Sequence, residues 1–363
     1  MTELQWRSPG QGAAAGLAAA VLFGLGVPLA KLAMGSTRLS PWLLAGLLYT
    51  GAGVSLGAFR VVTRKRRVVL ARSSFAPLAA AVLLGGVAAP VLLMLGLSRL
   101  DAASASLLLN TETVLTAGLA WTVFREHTSR RIVLGMVAIV AATITLTWAG
   151  TGAHGIPAAA LLVIAACLCW ALDNNLTRVV AIHDGTWLAT IKGLVAGPIN
   201  LALAAMLGAA TPSMAQVIAA SAIGAVSYGV SLALFVVALR ELGSSRASAY
   251  FAVAPFVGTG FAIVALGEAL TTRIIVAASL MGVGVWLHLT EAHVHDHNHA
   301  PLEHAHPHHH DEHHRHSHDR QPGDGRGHDH LHRHKPLTHR HEHYPDAHHR
   351  HGHEHRHEDG SPC

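Results

Sequence analysis

LSRLDAASASLLLNTETVLTAGLAWTVFRE (residues 97–126) and LRELGSSRASAYFAVAPFVGTGFAIVALGE (residues 239–268) are two versions of one segment, set 142 residues apart. At that offset Leu97 meets Leu239, Leu100 meets Leu242, Ala105 meets Ala247, Ser106 meets Ser248, Glu126 meets Glu268, and Ile132 meets Ile274 just beyond. Each copy contains an apolar run of about 20 residues, the length of helix that crosses a bilayer core about 30 Å thick. Ten such runs follow one another along the chain: 12–33, 41–60, 75–98, 102–124, 131–149, 156–177, 185–207, 214–238, 246–267 and 271–289. The repeat falls on the fourth and fifth helix of each five-helix half. An odd number of spans per half makes the halves enter the membrane in opposite senses, an inverted repeat with its substrate site near the midplane.

Composition points the same way. The 363 residues are 51% hydrophobic and only 13% charged, and mean hydropathy is +0.38. Soluble domains carry about 25% charged residues. This shortage excludes a soluble enzyme with a surface anchor and, despite a pI near 9.4, a soluble nucleic-acid binder. Charge is also divided unevenly: residues 1–290 hold 18 Lys and Arg against 8 Asp and Glu, whereas residues 291–363 hold 8 against 13. Two materials meet near residue 290. The divisions expected are an N-terminus (1–11), two five-helix repeats (12–149 and 150–290) and a tail (291–363). The first apolar run is as long as the others and more follow it, so it reads as a span and not as a cleaved signal. Small-residue pairs such as Gly53/Gly57 and Gly193/Gly197 suit close helix approach in lipid.

Lys and Arg stay on the cytoplasmic side of a membrane. Alternate loops hold 13 of them, including the basic run from Arg60 to Arg72, and the opposite loops hold 3, namely Arg38, Arg99 and Arg273. Both termini are therefore expected in the cytoplasm, with the chain a multi-pass protein of a bacterial cytoplasmic (inner) membrane. The basic loop reads as positive-inside and not as a nucleic-acid site.

In the two quoted segments, each closing on a glutamate (Glu126, Glu268), the chain resembles the drug/metabolite transporter superfamily, specifically the EamA-type transporters with two five-helix halves. VLFGLGVPLAKLA (21–33) resembles the family's opening helix, with Lys31 at the lysine position, and CLCWALDNNLTR (167–178) resembles the opening of the second half. The resemblance spans residues 12–290 and implies a ten-helix, all-α transporter, not an enzyme, that moves small metabolites. One departure stands out: Pro255 keeps the proline that follows the small-residue run, but the first half has Thr113 there, preceded by Glu112.

A charge at the bilayer centre costs about 2.5–3.5 kcal/mol on insertion scales, so such residues face protein or a water-filled cavity. Glu112 lies near the middle of the fourth span, flanked by Asn110, Thr111, Thr113 and Thr116. Asp173, Asn174 and Asn175 lie about one turn inside the sixth span, and Lys192 about two turns into the seventh, which runs back beside it at similar depth. As a translocation site, Glu112 is the titratable centre for a proton or a cationic substrate group, with Asn110, Asn174 and Asn175 as neutral hydrogen-bonding partners. Alternatively, Asp173 and Lys192 form a pair that locks two helices, and the Asn and Thr side chains hold helices together. Asn200 lies deeper on the helix of Lys192. Of the tyrosines, Tyr49, Tyr228 and Tyr250 are all cavity candidates, and the repeat favours Tyr250. Lys31, near its helix end, is expected to snorkel to the headgroups.

Cys167 and Cys169, two apart on a helix, point to different faces and form no metal site. The tail is different: 26 of the 30 histidines fall between His293 and His357. His293, His295, His297 and His299 alternate, His308, His309 and His310 are consecutive, and His313 and His314 follow among Asp and Glu. Nothing there can bury a core, so the tail reads as disordered. Imidazole binds zinc, nickel and cobalt, so the tail is expected to bind such ions collectively while the body requires no cofactor. No histidine of the body lies near midplane.

The leading expectation is a secondary transporter, proton-coupled or gradient-driven, that exports a small polar metabolite by alternating access. A second is a divalent Ni, Co or Zn exporter whose tail collects metal at the cytoplasmic mouth; a third is a membrane-embedded metal sensor. The partners expected are the substrate, the lipid bilayer and a second copy in a homodimer.

Overall fold

The computed structural model describes residues 9–37, 39–64, 74–123, 129–148 and 157–290, and, in the tail, 293–299, 303–308, 328–333 and 337–343. The chain divides into two units, one ending at Glu291 and the other beginning at Ala292.

The described residues of the first unit are helical, joined by short turns. Its first span is α1 (Pro9–Gly24) and α2 (Gly26–Thr37), and the second is α3 (Pro41–Val62). The third joins α4 (Phe75–Ala81) to α5 (Ala89–Leu97) through a π-helical turn, Val82–Ala88. The fourth comprises α6 (Ala102–Leu108) and α7 (Thr111–Thr122), and the fifth is α8 (Arg130–Thr147). The sixth and seventh, together labelled α9 (Ala158–Met206), are two helices that meet at Asp184, whose φ of −160° and ψ of 88° are not helical. The eighth is α10 (Met214–Gly224), a π-helical turn (Ala225–Val230) and α11 (Ser231–Leu242). The ninth is α12 (Ser244–Phe251) with α13 (Ala254–Leu266), and the tenth is α14 (Thr272–Leu289).

Among the described residues nine helical runs are long and apolar enough to cross a membrane. The run expected at 102–124 is not one of them: Asn110, Thr111, Glu112 and Thr113 lower its hydropathy, and a turn at Leu109 and Asn110 splits it. Bonds from Leu109 N to Ser106 O (3.3 Å) and from Asn110 N to Leu107 O (3.0 Å) tighten the chain there. The ninth span breaks in the corresponding place, at Ala252 and Val253, just before Pro255, which has no N–H to offer the preceding turn.

Polar residues at the ends of the apolar runs act as caps. Ser40, Asp101, Ser129 and Thr271 each accept a hydrogen bond from the backbone three residues on. Ser213 and Gln216 close a reciprocal capping box at the start of α10. Backbone groups near lipid have no water to fall back on, so such caps matter more here than in a soluble helix. The glycines set the helix spacing. A β-carbon on Gly53 would run into the backbone of Gly193, and one on Gly224 into that of Leu48. These contacts hold α3 against the seventh and eighth spans. Leu44, Leu48, Met94, Leu107 and Met281 are fully enclosed between the helices. Val62 and Val264 are 80% and 86% exposed, as side chains that face lipid would be.

Most of the tail lies outside the described residues. Its described residues form four short strands: β1 (His293–His299) pairs antiparallel with β4 (Leu337–His343), and β2 (Glu303–His308) with β3 (His328–Arg333). His-x-His alternation has the two-residue period of a strand even where neither face is apolar. A lone two-stranded ribbon is marginally stable in water, in keeping with a segment that has no core. Of the candidate metal ligands, His293, His295, His297 and His299 lie in β1 and His308 ends β2. His309, His310, His313 and His314 lie outside the described residues.

Candidate translocation site

Between the helices of the first unit lies a cavity of about 560 Å³. Its polar wall is made by the split fourth span and by the sixth and seventh. The turn at 109–110 brings Asn110, Glu112 and Thr113 to the cavity, and α9 adds Asp173, Asn174 and Lys192. Lys192 Nζ lies 2.5 and 2.6 Å from the two carboxylate oxygens of Asp173. Thr177 Oγ1 also donates to Asp173, at 3.4 Å. This pair is sunk between helices: the side chains are 14% and 4% exposed. Glu112 has a different environment. Its Oε1 accepts a 2.8 Å hydrogen bond from Asn174 Nδ2, and among the described residues no cation pairs with it.

The π-helical turn of the third span explains how Asp173 is accommodated. A side chain on Gly85 would overlap the Asp173 carboxylate. The wider turn also leaves the Gly85 carbonyl free to accept from Tyr49 Oη at 2.8 Å and from Trp170 Nε1 at 3.0 Å. Next to it, Gly86 O accepts from the fully buried Asn200 at 3.1 Å.

The cavity also has an aromatic cluster. Phe23 meets Tyr228 edge-on with ring centroids 5.6 Å apart. Phe251 lies 5.0 Å from Phe23 and 4.7 Å from Phe235. All four line the cavity, as do Tyr49 and Trp170. The lining continues to His288 and Leu289 at the end of α14. His288 Nδ1 lies 2.9 Å from Gly284 O, and its Nε2 is buried with no partner.

Five of the seven sequence candidates thus share one cavity: Glu112, Asn110, Asp173, Asn174 and Lys192. Asn175 does not line it; its Nδ2 donates to Ala171 O at 2.9 Å and Thr116 O at 3.3 Å, a helix-to-helix tie. Tyr250 does not line it either and packs against Gly16 of α1, whereas Tyr49 and Tyr228 do. Lys31 does not snorkel: its Nζ donates to Leu97 O and Leu100 O at 2.7 and 2.9 Å, satisfying carbonyls at the end of α5. Cys167 and Cys169 are free thiols.

A family model for EamA-like transporters matches the chain twice, over residues 10–148 and again over 157–290, leaving 1–9, 149–156 and the tail 291–363 unmatched. The chain belongs to the EamA-like transporter family. A relative described as an uncharacterized transporter, from Methanothermobacter thermautotrophicus strain Delta H, is 27% identical over 289 residues, covering 75% of this chain and 84% of its own. A solved crystal structure of a protein with 20% identity superimposes with a TM-score of 0.57 over 76% of this chain and 97% of its own, and shares the fold. As an EamA-like protein the chain is a multi-pass membrane transporter and not an enzyme, and its helices make the lipid bilayer its solvent.

Proposed function

We propose that this EamA-like protein is a proton-coupled exporter of a small organic solute bearing a cationic amine, working by alternating access between two inverted halves. The observation that carries this reading is the contrast between the two acids of the cavity. Asp173 is already neutralised by Lys192, whereas among the described residues Glu112 has the neutral Asn174 and no cation as partner. A carboxylate in a largely apolar cavity needs either a proton or a cation, and the two can compete for it. The aromatic cluster suits an ammonium group or an apolar body. The recurrence of π turns at 82 and 225, and of helix breaks after Leu108 and Phe251, supports a common five-helix plan for the halves. The distribution of Lys and Arg supports cytoplasmic termini in an inner membrane, so the cavity end marked by Leu289 faces the cytosol.

A second reading, export of Ni, Co or Zn with the tail collecting ions at the cytoplasmic mouth, is favoured by the 26 tail histidines. Against it, no group of three or more His, Cys, Asp or Glu among the described residues is arranged to hold a metal ion. Both readings are tested in inside-out vesicles with an acidic lumen. Solute-induced proton release is followed for aromatic and aliphatic amines, for amino acids, and for the three metals. Proton release by an amine, lost in Glu112→Gln and kept in a chain ending at residue 292, is the expected result. Release by metals alone, weakened by the truncation, would establish the second reading instead.

A further inference from the structure

We infer that Glu268 is the closing residue of the gate at the end of the molecule opposite the cavity mouth, an inference that rests on the alternating-access reading above. The cavity lining runs from Leu109 and Pro255 toward Leu289 and includes no residue of α6 (Ala102–Leu108) and none of α13 beyond Pro255. Those two segments are packed against each other and form the plug. Gly258 has no room for a side chain between Gly24 O and Ser106, and Thr259 Oγ1 donates to Ala103 O at 3.1 Å. At the rim of this plug the carboxylate of Glu268 spans the two halves: Oε1 accepts from Ala102 N and Oε2 from Ala103 N, both at 2.7 Å.

Three features make this contact a latch. The first is its placement. Gly267, at φ +70°, ends α13 in a left-handed turn, and Glu268 N bonds back to Ala262 O at 3.3 Å. That turn sends the next side chain off its own helix and onto α6. The second is strength: a charged acceptor on two N–H groups that have no partner within the helix makes charge-assisted bonds. The third is reversibility. Asp101 caps α6 independently, accepting from Ser104 N at 2.7 Å, and it travels with α6. If the halves part at this end, α6 keeps that cap, Asp101 is already exposed, and water can take up the two released N–H groups and the carboxylate. No equivalent escape exists for a contact buried at the midplane.

The test uses the full-length chain with Cys167, Cys169 and Cys363 replaced by alanine and Val27→Cys as reporter. Val27 lines the cavity and is 4% exposed. Labelling by a membrane-impermeant maleimide is measured from each face separately, with Glu268 intact, as Glu268→Gln and as Glu268→Ala. Thermal unfolding of each variant checks that it folds. With Glu268 intact, labelling from the plug face should be slow. Glu268→Ala should speed it roughly tenfold and slow labelling from the mouth face, as a shift between two states requires. Glu268→Gln, which keeps a neutral acceptor, should fall between. Plug-face labelling that stays unchanged in a folded Glu268→Ala protein would overturn the inference, and so would an equal rise from both faces, which means general loosening. Solute flux by the parent chain is measured in parallel. Its absence for every solute would count against the transport reading while leaving the labelling result to be judged by itself.

Discussion

Span four of the first half and span nine of the second break at matching depths, after Leu108 and after Phe251, yet they present opposite chemistry to the cavity between them. Span four contributes Leu109, Asn110, Glu112 and Thr113, and span nine contributes Phe251, Ala252, Ala254 and Pro255 with Ser248 as its one polar side chain. The second half does own an acid, Asp173, but neutralises it internally, because the chain turns back at Asp184 and brings Lys192 of the seventh span beside it. Glu112 is left without a countercharge among the described residues. The two matched halves share a backbone plan, while the side chains have diverged so that one wall carries charge and the other is apolar. Under the proposed function, a solute held between such walls would lie with its amine toward the fourth span and its body toward the ninth.

Removing the unneutralised charge should do the most damage. Glu112→Gln keeps the shape and the capacity to bond Asn174, so the protein should unfold at an unchanged temperature. Solute-induced proton release should fall at least about 100-fold, since proton transfer through a positioned side chain contributes on that scale. If Glu112→Gln still exchanges solute for protons, the asymmetry between the two acids is incidental.

The neutralised pair should respond in the reverse manner, through stability. Asp173→Asn leaves Lys192 buried without its partner, at a cost of about 3–5 kcal/mol, visible as a large drop in unfolding temperature in detergent. Combining it with Lys192→Met should recover most of that loss. A single variant as stable as the parent would show that the pair is not what holds the sixth and seventh spans in place.

How far this division could be read from the sequence depended on what a residue costs in lipid. Glu112, Asp173 and Lys192 stood out because a charge in an apolar run needs a reason, and the antiparallel return of the chain placed Asp173 and Lys192 at equal depth. The 142-residue repeat located the helices, but it could not show the break at Leu109 and Asn110, where neither glycine nor proline interrupts the run. Tyr250 was favoured by repeat position over Tyr49 and Tyr228, and the structure places it against Gly16, since a rotation of one residue about a helix axis moves a side chain by 100°. The clasp of Tyr49 and Trp170 on Gly85 depends on a π-helical turn that the apolar run does not announce; Pro90, five residues on and without an N–H, is the sequence mark of the freed carbonyl. Glu268 was visible as a repeated motif residue, and only the folded chain shows that it reaches the other half.

The apolar wall should give a smaller and more selective effect. Phe251→Ala removes the ring that contacts both Phe23 and Phe235, and aromatic pairs contribute about 0.5–1.5 kcal/mol beyond area burial. The KM for an aromatic amine should rise up to roughly tenfold, with kcat little changed. An aliphatic amine of similar charge should be nearly unaffected. Equal losses for both amines would show that the ninth span shapes the cavity without selecting the solute.

Making the two breaks alike should change least. Position 113 corresponds to Pro255 at the repeat offset, so Thr113→Pro gives the fourth span the proline of the ninth. The substitution removes one hydrogen bond, from Thr113 N to Asn110 O at 3.1 Å, and places the ring in the first turn of α7, where proline is best tolerated. Asn110 and Glu112 keep their identity and the span is already broken there. Flux should therefore stay within about threefold of the parent, because proline penalties of about 3 kcal/mol belong to helix interiors. A collapse of flux in a folded Thr113→Pro protein would mean that the Thr113 bond itself sets the position of Glu112. The absence of proline in the first half would then be part of how the charged wall is built, and not a neutral difference between two copies of one design.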